Sequence, residues 1–175
     1  GIETSGSDAK NSSSLEDLTR LGAQTYVGHS EVNVNSNQVV VISSAIPDSN
    51  PELKKAKELG LSILSRAKLL ALFMEKKKSI AVAGTHGKTT TTSALTVALQ
   101  SLGLDPSFAI GGTINRGGTN SHYGSGEIFV AEADESDGSF LEYHPFGAVI
   151  TNIELDHVDN FPNLEAIHKL FIDFI

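Results

Sequence analysis

"SIAVAGTHGKTTTTSALTVAL", residues 79–99, decides the fold. Its first six residues are an apolar run suited to a buried strand, and the residues from 88 to 103 follow a helical pattern. Between them lie Gly84, Thr85, His86, Gly87, Lys88, Thr89 and Thr90. Phosphate oxygens need several N–H donors converging on them. Glycines let the backbone come close, and the helix that follows offers its free N–H groups and the positive end of its dipole. In such a loop Lys88 reaches the outer phosphates, and the hydroxyl of Thr89 suits a magnesium ion bridging them. The longer form of the motif carries a glycine five positions ahead of Gly87, where Val82 stands here, so the loop is short at its front end.

Outward from this loop, strand and helix signals alternate. Residues 13–21 form a short helix, with Ser13 and Glu16 at capping-box spacing. Residues 38–46 ("QVVVISSAI") read as a strand buried on both faces. Asn50-Pro51 opens a helix that Gly60 ends, residues 61–64 are a short strand, and residues 66–77 are a helix with a cationic end. After the loop and its helix come strands at 106–112, 127–134 and 146–153, a glycine-rich loop following the first of these, and a helix at 163–175 capped by Asn163. The alternation predicts an α/β protein with mainly parallel sheets. A boundary near residue 78, at the lysine run, divides it into domains at 1–78 and 79–175.

Two further stretches carry chemistry. "EADESDGSF" (132–140) places four acids within six residues after a buried strand. A carboxylate at a strand end beside a phosphate loop is where a magnesium ligand is expected. Glu132, nearest the strand, is the first candidate, with Asp134 and Glu135 as competitors. Within "TNIELDHVDNF" (151–161) the next strand ends, on the same sheet edge, and His157 beyond it is placed to serve a second metal ion.

Composition sets bounds on partners. The net charge of −8 argues against general nucleic-acid binding, which needs clustered cations, and the one basic run, Lys76-Lys77-Lys78, reads as a solvated helix end. The absence of cysteine excludes disulfides and thiolate metal sites. The longest apolar run, 69–74, falls far short of the ~20 residues of a membrane helix, so no membrane partner is expected. Both ends read as cut within elements, as in part of a longer enzyme.

Taken together, "GTHGKTTTT", "EADESDGSFL" and "TNIELDHVD" resemble the Mur ligase family of ATP-dependent peptidoglycan precursor ligases, in that family's order. "SGSD" (5–8), "GH" (28–29), "SSAI" with "NPE" (43–52) and "RA" (66–67) resemble its N-terminal domain. The resemblance implies a Rossmann-like N-terminal domain for a UDP-sugar, followed by a P-loop-type ATPase domain with a mainly parallel sheet. It implies a cytoplasmic bacterial enzyme joining L-alanine to the carboxylate of UDP-N-acetylmuramate, using ATP and Mg2+. Another member, one that re-attaches a recycled tripeptide, is the alternative, as is a nucleotide-binding piece inactive by itself. By resemblance, Lys88, Glu132 and His157 are catalytic, and Thr89, Glu132 and His157 hold metal. Residues 84–90 bind ATP, and Asp8, His29, Ser43 and Asn120 line the substrate site.

Overall fold

The computed structural model describes residues 2–114, 119–136, 138–155 and 161–175. The chain divides into two compact units, Gly1–Arg66 and Ala67–Ile175.

The first unit contains β1 (Ser5–Asp8), α1 (Ser13–Arg20), β2 (Gln24–Val27), a 3-10 turn at Glu31–Asn33, β3 (Val40–Ile42), α2 (Pro51–Glu58) and β4 (Ile63–Ser65). β1 pairs in parallel with β2, and β3 in parallel with β4, as two separate two-stranded sheets. Local chemistry explains the helix starts. Asn50 Oδ1 accepts from the N–H groups of Glu52 (2.8 Å) and Leu53 (3.2 Å), and Pro51 takes the first helical position. At α1 the cap is Ser12, not Ser13: its hydroxyl accepts from Leu15 N. Adjacent serines offer the same acceptor, and the shift by one lets Leu15 point inward, where it is buried. The expected strand at 38–46 shrinks to three residues, and it is not buried on both faces, since Val41 is 40% exposed. β2 lacks an apolar run and escaped the sequence reading.

The second unit opens with most of α3 (Arg66–Met74), whose Ala67, Ala71 and Met74 join its core. Then follow β5 (Lys78–Ala83), α4 (Lys88–Ser101), β6 (Ser107–Ala109), β7 (Ser121–His122), β8 (Ile128–Glu132), a 3-10 turn at Ser139–Glu142, β9 (Gly147–Ile150) and α5 (Leu164–Phe174). The sheet order is β7-β6-β8-β5-β9, parallel except for β7. Side chains alternate across the central strands with the strand period of two. Ala81, Ala83, Phe129 and Ala131 face a layer with α3, α5 and Phe140. Val82 and Val130 face Phe108, Ile110 and Leu95 and Leu99 of α4. Helices on both faces account for the unbroken apolar runs of β5 and β8. β9 lies at the sheet edge instead, with Ala148 and Val149 exposed.

The lysine run is a correction. α3 ends at Met74, so the three lysines lie beyond the helix and do not complement its dipole. Lys77 is no solvated end: its ammonium donates to the carbonyls of Gly124 (2.6 Å) and Gly126 (2.7 Å) and lies 4.4 Å from the centre of the Tyr123 ring.

Candidate active site

Parallel pairing of β5 with both β8 and β9 brings three strand ends to one sheet edge, with Val82 opposite Glu132 and Ala83 opposite Ile150. In open α/β sheets that carboxyl edge is where ligands bind. The loop of residues 84–87 leaves β5 there and turns into α4 through Gly87, whose φ of +82° suits glycine. Gly84 is more constrained still. Its φ is +129°, and a Cβ there would lie 2.1 Å from Thr151 Oγ1 and 2.9 Å from the Asn152 carbonyl.

The segment after β9 grips the loop. Thr85 N donates to the Asn152 carbonyl (3.0 Å), and His86 N to Asn152 Oδ1 (3.0 Å). The His86 carbonyl accepts from Thr151 Oγ1 (2.6 Å) and Asn152 Nδ2 (3.0 Å). The Thr85 hydroxyl is buried and exchanges hydrogen bonds with the backbone of Glu154, at 3.2 and 2.9 Å. Thr151 and Asn152 were thus missed as supports of the loop, because they fell inside the strand expected over 146–153, which ends at Ile150. The exposed His86 ring faces the Glu154 carboxylate at 3.9 Å.

Lys88 folds back over its own loop and donates to the carbonyls of Gly84 (2.8 Å) and Thr85 (3.3 Å). Its ammonium also pairs with Glu135 Oε2 at 2.9 Å, and the Glu135 side chain is only 2% exposed. Of the three acids considered for metal, Glu135 is therefore the partner of the lysine, and exposed Asp134 accepts from Ser136 N (3.0 Å). Glu132 meets Thr89: Thr89 Oγ1 donates to Glu132 Oε1 at 2.7 Å, and Gly111 N donates to Oε2 at 2.7 Å. Two hard oxygen groups, one a carboxylate, converge here, and such donors fit Mg2+. His157, expected to serve a second metal ion, lies outside the described residues. Thr90 is exposed on α4, whereas Thr92 is fully buried and donates to the Lys88 carbonyl (2.7 Å), anchoring the first turn.

In the first unit, Asp8 ends β1, with Oδ1 accepting from Lys10 N (3.2 Å). Ser43 follows β3 and is half-buried. His29 follows β2 and meets a network that sequence reasoning missed. Its Nδ1 lies 2.9 Å from Ser7 Oγ and 3.1 Å from Glu52 Oε2. Glu52 also accepts from Ser7 Oγ (2.6 Å), Asn33 Nδ2 (2.7 Å) and Ser30 N (3.4 Å). Burial pushes the Glu52 carboxyl up, but these hydrogen bonds outweigh it and hold the group below its ordinary value. Asn120, in the second unit, is exposed and contributes its carbonyl to Ile110 N (2.9 Å).

Both parts of the chain match known families. A family model described as "Mur ligase family, catalytic domain" covers residues 1–78, and the "Mur ligase middle domain" covers residues 82–175. The chain belongs to the Mur ligase family. Among its Mur ligase relatives, the UDP-N-acetylmuramate--L-alanine ligase of Renibacterium salmoninarum is 53% identical over 175 residues, which is 100% of this chain and 38% of the relative. That of Thermobifida fusca is 51% identical over 100% of this chain and 37% of its own length. The crystal structure of a UDP-N-acetylmuramate-alanine ligase from Thermotoga maritima aligns with a TM-score of 0.85 at 33% identity, over 97% of this chain and 40% of that one. A UDP-N-acetylmuramate:L-alanyl-gamma-D-glutamyl-meso-diaminopimelate ligase from Neisseria meningitides also gives 0.85, at 32% identity, over 98% and 59%. The chain spans about two fifths of the length of the curated relatives it matches. As the motifs implied, the fold is that of this Mur ligase branch: α/β, with mainly parallel sheets. Among the described residues, no helix is long and apolar enough to cross a membrane.

Proposed function

We propose that this chain is the nucleotide-handling part of a bacterial cytoplasmic ligase that joins L-alanine to the carboxylate of UDP-N-acetylmuramate at the expense of ATP. The observation that carries this reading is the loop of residues 84–90 with Lys88 at its head and Thr89 against Glu132, in a chain about half identical to ligases named for that reaction. Residues 1–78 take the UDP-sugar, with Asp8, His29 and Ser43 at the carboxyl ends of their strands. Residues 79–175 take ATP, and Asn120 faces the bound substrates.

A carboxylate is a poor acyl donor because oxide would have to leave. Transfer of the γ-phosphoryl of ATP to it gives an acyl phosphate. The amine of L-alanine attacks that carbonyl, and phosphate departs as the amide forms. The protein's share is positioning and charge neutralisation. Lys88, held over the loop carbonyls, places its ammonium where the phosphoryl oxygens gather, and the first N–H groups of α4 face the same anion. Thr89 and Glu132 would hold one Mg2+ and His157 a second, each of which neutralises phosphate charge when bound. The grip of Thr151 and Asn152 fixes the loop before any substrate arrives, so little is spent on ordering it.

The test is ADP release by the enzyme carrying this sequence. It should require both UDP-N-acetylmuramate and L-alanine and disappear with Lys88→Ala. The equal structural match to the tripeptide ligase supports a second reading, in which L-alanyl-γ-D-glutamyl-diaminopimelate replaces L-alanine as the amine substrate. Turnover with the tripeptide and none with alanine would decide for it.

A further inference from the structure

Ser7, His29 and Glu52 bring a hydroxyl, an imidazole and a carboxylate together, but not as a nucleophilic triad. A triad places the hydroxyl on one ring nitrogen and the carboxylate on the other. Here both face Nδ1, and the Ser7 proton is spent on Glu52 Oε2. The two oxygens facing Nδ1 therefore present only lone pairs, so Nδ1 carries the ring's proton. In the neutral ring Nε2 is then an acceptor, and no described residue meets it. The carboxylate is fully occupied: Oε2 takes Ser7 and His29, while Oε1 takes Asn33 Nδ2 and Ser30 N. Its place in the first turn of α2 adds the favourable end of the helix dipole. Glu52 thus ties the residues following β2 to α2 at the carboxyl edge of the β1–β2 sheet.

We infer that Glu52 is a positioning residue that fixes the proton of His29 on Nδ1, so that Nε2 faces the nucleotide-sugar as the acceptor for one of its hydroxyls. The inference rests on the reading of the first unit as the UDP-sugar site.

The test uses the whole chain with 15N-labelled histidine at about pH 8.5, two units above the ordinary histidine value, with His29→Gln assigning the signal. Nδ1 should show the protonated-type shift and Nε2 the unprotonated type. In Glu52→Gln, the donors from Asn33 and Ser30 keep the amide oxygen at the Oε1 position. The amide NH2 then faces Nδ1, and the proton moves to Nε2. Affinity for UDP-N-acetylmuramate, read by calorimetry, should fall about tenfold, as for the loss of one hydrogen bond to the ligand, and His29→Gln should fall at least as far. A proton on Nε2 in the unaltered chain overturns the inference, even if the glutamine variant does not fold. So does a glutamine variant that binds as tightly as the unaltered chain. If the unaltered chain binds no UDP-N-acetylmuramate, the nucleotide-sugar reading falls and takes the inference with it, and the ring shifts tell this case from a failure of the Glu52 contact.

Discussion

The two units hold their functional side chains in opposite ways. In the second, the loop of residues 84–87 hangs from a sheet buried on both faces, and contacts from the segment after β9 reach Ala83, Thr85 and His86. In the first, the sheets have two strands each, Val27 and Val41 are exposed, and a single carboxylate collects Ser7, His29, Ser30 and Asn33. One site is braced by a lattice of backbone and side-chain contacts and the other by a single side-chain hub. A lattice spreads the loss of any one hydrogen bond and fails where its backbone is forced, whereas a hub loosens all its partners together when its centre changes.

The sharpest way to break this contrast is to strike the second unit at the ion pair of Lys88 and buried Glu135. Lys88→Ala removes the ammonium 2.9 Å from buried Glu135, at a cost of about 3 kcal/mol. Hydrogen exchange should rise through 67–175 and stay unchanged in 2–66, and adding Glu135→Gln should restore much of the loss. Spread of the change into the first unit would end the idea that the two fail separately. Gly84→Ala comes next, since a Cβ would strike Thr151 and Asn152 and the φ is unfavourable for alanine. A loss of about 2–3 kcal/mol, with ATP binding abolished, is expected in thermal melts and nucleotide titration. In the first unit, Ser7→Ala removes one hub donor for about 1 kcal/mol, yet the imidazole signal of His29 should also shift because its neighbour has gone. A stability change without that shift would count against the hub.

The smallest effect is one of pH. Asp105 is held down to about 2 by the Ser125 backbone N–H first, then the Ser125 hydroxyl and His122. A depressed carboxyl stabilises the fold above its ordinary value of 3.8, and that contribution is lost as pH falls through about 2. Exchange at 121–126, which Asp105 anchors, should therefore rise below pH 3.8 in the native chain and be insensitive to pH there in Asp105→Asn.

How much of this was legible in the sequence follows the same division. The turn from β5 into α4 was, because glycine, lysine and threonine between a strand and a helix mark it locally. Glu132 was too, because its place at a strand end fixes which edge it reaches. Glu135 as the partner of Lys88 was not, since four nearby acids look alike until backbone geometry turns one inward. Nor was the hub: Ser7, His29, Asn33 and Glu52 lie far apart in the chain, and none belongs to an apolar pattern that reveals direction. β2 and β7 were missed for want of an apolar run, and Thr151 and Asn152 were read into the strand expected over 146–153.

Three identical letters at 76–78 do not share one environment. Lys77 has its ammonium committed to two carbonyls beside an aromatic ring, whereas the side chain of Lys78 is 66% exposed. An amine is acylated through its free lone pair, which Lys77 cannot present without releasing the segment at 124–126. Under mild treatment with an acylating reagent, Lys76 and Lys78 should be modified well before Lys77, and the moment Lys77 begins to react would time the release of that segment from the sheet edge.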